Sequence, residues 1–140
     1  MATRSRYWWL CALSGIVWGL IGVVLGRPAF KDVAWGGLIA SPLIGLIAGA
    51  VAWPWIRARL KWLALGALVN LYLTAALFGL AFTLYPWCVG QSAQGEPFES
   101  ALRRARESAI AVPIGITMTG YVLFLWPLAV ANHRWLARWR

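Results

Sequence analysis

Residues 15–26 read GIVWGLIGVVLG, with glycine at 15, 19, 22 and 26 in a run otherwise built of large apolar side chains. In water, glycine inside a helix costs about 1 kcal/mol relative to alanine, so this stretch makes a poor soluble helix. In a bilayer the argument reverses. Lipid tails are as apolar as leucine, so helices associate through close van der Waals contact, and small residues four apart let two backbones approach. The stretch predicts a membrane helix whose glycines are contact surface.

Composition extends that reading to the whole chain. Of 140 residues, 61% are hydrophobic and 12% charged, against about a quarter charged in soluble domains. As a soluble globule such a chain exposes more apolar surface than monomers tolerate. The formal charge is +9, from 13 Lys and Arg against 4 Asp and Glu. These basic residues sit between and beyond the apolar runs, where they anchor helices and meet lipid phosphates. No folded soluble module carries a basic patch, so nucleic acid is not an expected partner; the lipid bilayer is.

Four charge-free stretches are long enough for the roughly 20 residues a spanning helix needs. They run over 7–26, 33–56, 62–90 and 109–132. The expected fold is all-α: one membrane domain over 1–140, a polytopic protein with four transmembrane helices. The short first and second connections imply an up-down-up-down antiparallel bundle. Although Arg4 and Arg6 precede the first run, it is too long for a secretory signal and lacks a small-x-small cleavage site, so it reads as a retained helix.

The Lys/Arg bias sets the direction. Arg4, Arg6, Arg57, Arg59, Lys61, Arg134, Arg138 and Arg140 fall on one side. Arg27, Lys31, Arg103, Arg104 and Arg106 fall on the other, together with Asp32, Glu96, Glu99 and Glu107. Both termini are therefore expected in the cytoplasm, with the protein in a bacterial inner membrane. Tryptophan fits this frame: Trp8, Trp9, Trp53, Trp55, Trp62, Trp135 and Trp139 cluster at the inner boundary, Trp35 and Trp87 at the outer. Indoles anchor helices there by placing the ring in the acyl region and the N–H among headgroups.

Each span carries a small-residue stripe. The first has Gly15/Gly19 and Gly22/Gly26, the second Gly37, Ser41, Gly45 and Gly49. The third offers Ala75, Gly79 and Thr83, the fourth Ala111, Gly115 and Thr119. All are expected to pack helix on helix, within the chain or between subunits. Pro42 and Pro113 fall inside spans and are expected to kink them, since proline lacks a donor and crowds the carbonyl one turn back.

Chemistry is sought among intramembrane polar groups, yet no Asp, Glu, Lys or Arg lies within a span. Asn70, with Thr74 one turn away, is the leading candidate for an interhelical polar contact. The lone His133 cannot alone make a two-ligand haem site or a metal cluster, and it reads as an exposed interfacial residue. Cys11 and Cys88 are expected at opposite faces, unbridged. Acids and histidine fall on opposite sides, no triad can be assembled, and no phosphate-cradling glycine loop is present. No catalytic, cofactor-binding or metal site is expected, and the chain does not read as an enzyme.

Residues 97–107 predict a short amphipathic helix on the outer surface, with Phe98, Leu102 and Ala105 on one face and a Glu99–Arg103 pair. The C-terminal HRWLARWR is expected to lie among inner headgroups. The functional expectation is an accessory or structural subunit that packs into a larger membrane complex with other membrane protein subunits. The alternative is a small homo-oligomeric channel or passive transporter lined by Asn70, Thr74 and Thr117.

Overall fold

The computed structural model describes residues 2–30, 34–90 and 96–140. They form five helices: α1 (Ala2–Phe30), α2 (Ala34–Ala52), α3 (Leu60–Cys88), α4 (Phe98–Met118) and α5 (Val122–Ala137). No strand occurs among the described residues. Three helices are long and apolar enough to cross a membrane, or four if α4 and α5 together count as one bent span. Lys31 and Asp32 of the first connection, Val33 of the second expected span and residues 91–95 of the third connection lie outside the described residues.

The first two helices run antiparallel with their backbones in direct contact. A Cβ added at Gly15 would meet the Ser41 carbonyl and the Gly45 backbone, and one at Gly45 would meet the Cys11 carbonyl and the Gly15 backbone. The same register continues in both directions: Gly19 faces Ser41 and Leu38, while Gly49 faces Cys11 and receives a 2.9 Å hydrogen bond from Tyr7 on its carbonyl. Beyond α2, Pro54 falls in a run of turns at 53–58 that brings the chain round to α3. Trp55 in that turn packs on Gly66, where any side chain on residue 66 would collide with the indole. Gly36 and Gly37 admit Tyr85 and Phe82 in the same way, which places α3 antiparallel to α2.

The second half of the chain departs from expectation. The surface helix expected over 97–107 and the start of the fourth span are one helix, α4. It lies antiparallel along α3: Trp87 packs on Phe98 with ring centroids 5.0 Å apart, the Ser108 carbonyl meets Gly79, and the Tyr72 and Thr117 hydroxyls are 2.8 Å apart. Its buried face is Ala101 and Ala105, whereas Phe98 is exposed. The ion pair formed is Arg104 with Glu96 rather than Glu99 with Arg103. Glu96 also accepts from the Ser100 hydroxyl at 3.0 Å, placing a carboxylate at the positive end of the α4 dipole.

The helix expected over 109–132 is broken. The first part, α4, passes through Pro113 and ends at Met118, with Thr119 as its C-cap; Gly120 takes φ +73°, and α5 leaves at 104° to α4. A glycine just past a helix end accepts this left-handed conformation without a Cβ penalty. The sharp bend therefore falls at the glycine and not at the proline. After it, α5 crosses α3 instead of running beside it: Trp126 Nε1 donates to the Ala64 carbonyl at 2.8 Å, and Leu125 and Ala129 pack on Ala67 and Leu71. At its far end Leu136 joins Tyr7, Cys11, Ala52 and Ile56 in a buried cluster. Arg140 lies 4.4 Å over the Trp53 ring, which stacks on Trp8, so the two chain ends lie at the same end of the bundle.

Candidate functional site

Where α5 crosses, four helices bring their polar groups together. Asn70, on α3, is 4% exposed and turns its amide toward α2 and α5. Its Nδ2 donates to the Ala48 carbonyl at 3.2 Å and to His133 Nε2 at 3.0 Å. His133 Nδ1 lies 2.8 Å from the Ala129 carbonyl. A carbonyl only accepts, so the proton sits on Nδ1, and Nε2 is left as the acceptor that the Asn70 amide needs. The ring is thus neutral, with a defined tautomer. The reverse amide orientation would set Oδ1 against the Ala48 carbonyl, two acceptors facing each other, which fixes Asn70 as it stands.

The α1 contribution is Ser14. Its hydroxyl receives a 2.8 Å hydrogen bond from Asn132 Nδ2 and lies 3.1 Å from Asn132 Oδ1. Thr74 donates to the Asn70 carbonyl on its own helix at 2.7 Å, the turn-back bond common to helical threonines. Together Asn70, Thr74, Ser14, Asn132 and His133 border a cavity of about 40 Å³. Asn70 Oδ1 is buried, with no hydrogen-bond partner among the described residues.

His133 is therefore not the exposed interfacial residue expected; it is 4% exposed and belongs to this junction. The bend at Gly120 turns α5 inward and carries the histidine onto Asn70. Sequence reasoning singled out Asn70 and Thr74 but missed His133, Asn132 and Ser14 as their neighbours. The available cue was the pair Asn132–His133, two adjacent polar residues at the end of an apolar run.

The small residues named from sequence divide into two groups. Gly15, Gly19, Gly37, Gly45, Gly49 and Gly79 all sit where a Cβ would collide with a neighbouring helix, and Ser41 and Ala75 are buried. Gly22 and Gly115 meet nothing within 4 Å. With Gly26 and Ala111 they border a second cavity, of about 320 Å³, between α1, α3 and α4. Gly66 and Gly36 make close approaches that the four-residue spacing did not flag.

Of the aromatic anchors, Trp9, Trp62, Trp135 and Trp139 are exposed. Trp8 stacks on Trp53 at 5.8 Å, and Trp55 packs on Gly66 with its Nε1 buried and without a hydrogen-bond partner among the described residues. Cys88 is exposed and Cys11 buried. Among the described residues no three His, Cys, Asp or Glu side chains come together as a metal site. The junction offers neutral donors and acceptors that tie α1, α2, α3 and α5 together. Compared with models of known protein families, with curated proteins and with solved structures, the chain matches none.

Proposed function

We propose that this chain is an integral membrane accessory or structural subunit, without catalysis of its own, that packs against other membrane proteins. In this reading it lies in a bacterial inner membrane as an up-down-up-down bundle, α4 and α5 forming the last, bent span. The Lys/Arg bias places both termini in the cytoplasm.

The observation that carries the proposal is the outer face made by the end of α4 and by α5. Met118 is 82% exposed, Phe124 77% and Leu123 70%. In a bilayer exposed apolar side chains meet either lipid tails or a neighbouring helix, and here they sit at the end of α4 and on the helix that crosses the bundle. Lipid can cover such a face, but side chains of this size on a helix that crosses the bundle also fit grooves between neighbouring helices.

The test is the mass of the particle after mild extraction from the native membrane. Foreign subunits co-purifying in fixed ratio support the accessory role, and replacing Phe124 and Leu123 by alanine should release them. A symmetric assembly of this chain alone that passes ions in liposomes overturns it in favour of a channel. Topology has a separate check. An impermeant maleimide should label Cys88 from the periplasmic side and leave buried Cys11 unmodified.

A further inference from the structure

Charge is divided between the two ends of the bundle. Glu96, Glu99 and Glu107 lie before or within the first half of α4, beside the last turns of α3. Ser108, the residue after Glu107, meets Gly79, which lies about 27 Å along α3 from Lys61. That exceeds the roughly 8 Å over which exposed charges act in physiological salt. Among the described residues no acidic side chain lies at the Lys61 end.

Basic side chains gather there. Arg6 precedes Tyr7, Arg57 follows Ile56 and Arg138 comes two residues after Leu136, while Tyr7, Ile56 and Leu136 form one buried cluster. Arg59, Lys61 and Arg134 stand nearby on the ends of α3 and α5. All six are exposed, and none has an ion pair among the described residues. Arg140 differs in being held. Its guanidinium lies 4.4 Å from the centroid of the Trp53 ring, which stacks on Trp8 and meets Tyr7 edge-on at 4.9 Å. Three separated segments thus fix one cation. A guanidinium over an indole face keeps its charge and its N–H donors, and no carboxylate takes those of Arg140 among the described residues.

Such an arginine is complementary to the oxygens of a phosphate. A soluble acidic partner would need charge alone, but here tryptophans interleave with the arginines, and Trp9, Trp135 and Trp139 are exposed. Indoles of this kind sit at the level where headgroup meets acyl chain. We propose that this end of the bundle binds one anionic phospholipid of the phosphatidylglycerol type. Arg140 holds the phosphate, the Trp8–Trp53 stack lies against the glycerol and upper acyl carbons, and Arg6, Arg57 and Arg138 supply the field that selects a negative headgroup. The site requires a bilayer but neither partner subunits nor a particular leaflet, so it stands or falls apart from the accessory role.

The test is the lipid retained by the purified full chain, released for native mass spectrometry from nanodiscs of equal phosphatidylglycerol and phosphatidylcholine. The two lipids share the phosphodiester and differ in headgroup charge. Bound phosphatidylglycerol should exceed phosphatidylcholine about tenfold, and the excess should shrink in about 0.5 M salt. A cation at an anionic surface is worth about fivefold, so Arg140→Gln should lower the preference by about that factor. Arg103→Gln, at the acidic end, should leave it unchanged. Equal retention of the two lipids by the unmodified chain overturns the proposal without relying on any variant. So does a preference that Arg140→Gln leaves intact, or that Arg103→Gln lowers as much. Binding of a hexaglutamate peptide in phosphatidylcholine nanodiscs, with no preference between the lipids, assigns the patch to an acidic protein partner and overturns it too.

Discussion

The two halves of α1 carry the same residue at similar spacing and do opposite things with it. In the first half Gly15 and Gly19 lie against α2, with Gly45 and Ser41 in close contact. Further along, Gly22 stands before an open groove whose far wall includes Gly115. Periodicity alone cannot separate these uses. Both follow from the absence of a side chain: in one place it lets a backbone in, and in the other it leaves a space. Contact is decided by what the facing helix presents, and α4 presents Gly115 and Ala111, which are too small to reach across.

The contrast breaks most sharply at the α1–α2 seam. Gly45→Leu should cost about 3 kcal/mol or more, because the added side chain meets backbone that cannot yield. Reversible unfolding in mixed detergent and denaturant micelles measures it, and a native midpoint would show that α1 and α2 do not touch there. Gly79→Val should cost about 2 kcal/mol by pushing the Ser108 carbonyl, and so α4, away from α3. A disulfide reporter between engineered cysteines on α3 and α4 should then form more slowly.

The polar junction is expected to contribute less. Asn70→Leu removes the bonds to Ala48 and His133 and should destabilise by about 1 kcal/mol, in line with interhelical hydrogen bonds in membranes. Ser14→Ala should cost about 0.6 kcal/mol in the same assay. The smallest effect has the opposite sign. Gly22→Ala meets nothing, so it should stabilise by up to about 1 kcal/mol through helix propensity, while Gly15→Ala destabilises. Equal signs for the two substitutions would erase the distinction between seam and groove.

Much of the helical layout was legible in the chain because lipid imposes a simple rule. Apolar runs of spanning length become helices, and the first three expected runs overlap α1, α2 and α3 closely. Ends were less legible: α1 continues to Phe30, through Pro28, and α2 stops at Ala52 although the apolar run continues to Ile56. The fourth run misled, since hydropathy carries no information about direction. Residues 109–132 are free of charge throughout, yet one left-handed glycine turns the chain by 104° in the middle of them. Asn70 stood out as a lone amide in hydrocarbon. Its partner His133 did not, because their meeting depends on that turn, and arginine neighbours made the histidine look solvated.

Gly120 also has a consequence for the order of assembly. The groups that receive α5 belong to three separate helices: Tyr7 and Ser14 on α1, Ala52 on α2, Ala64 and Asn70 on α3. None of them forms a complete seat until those helices have come together. The last helix therefore acts as a latch that closes on a finished frame, and a chain arrested before Val122 would leave the amide of Asn70 facing hydrocarbon without its imidazole.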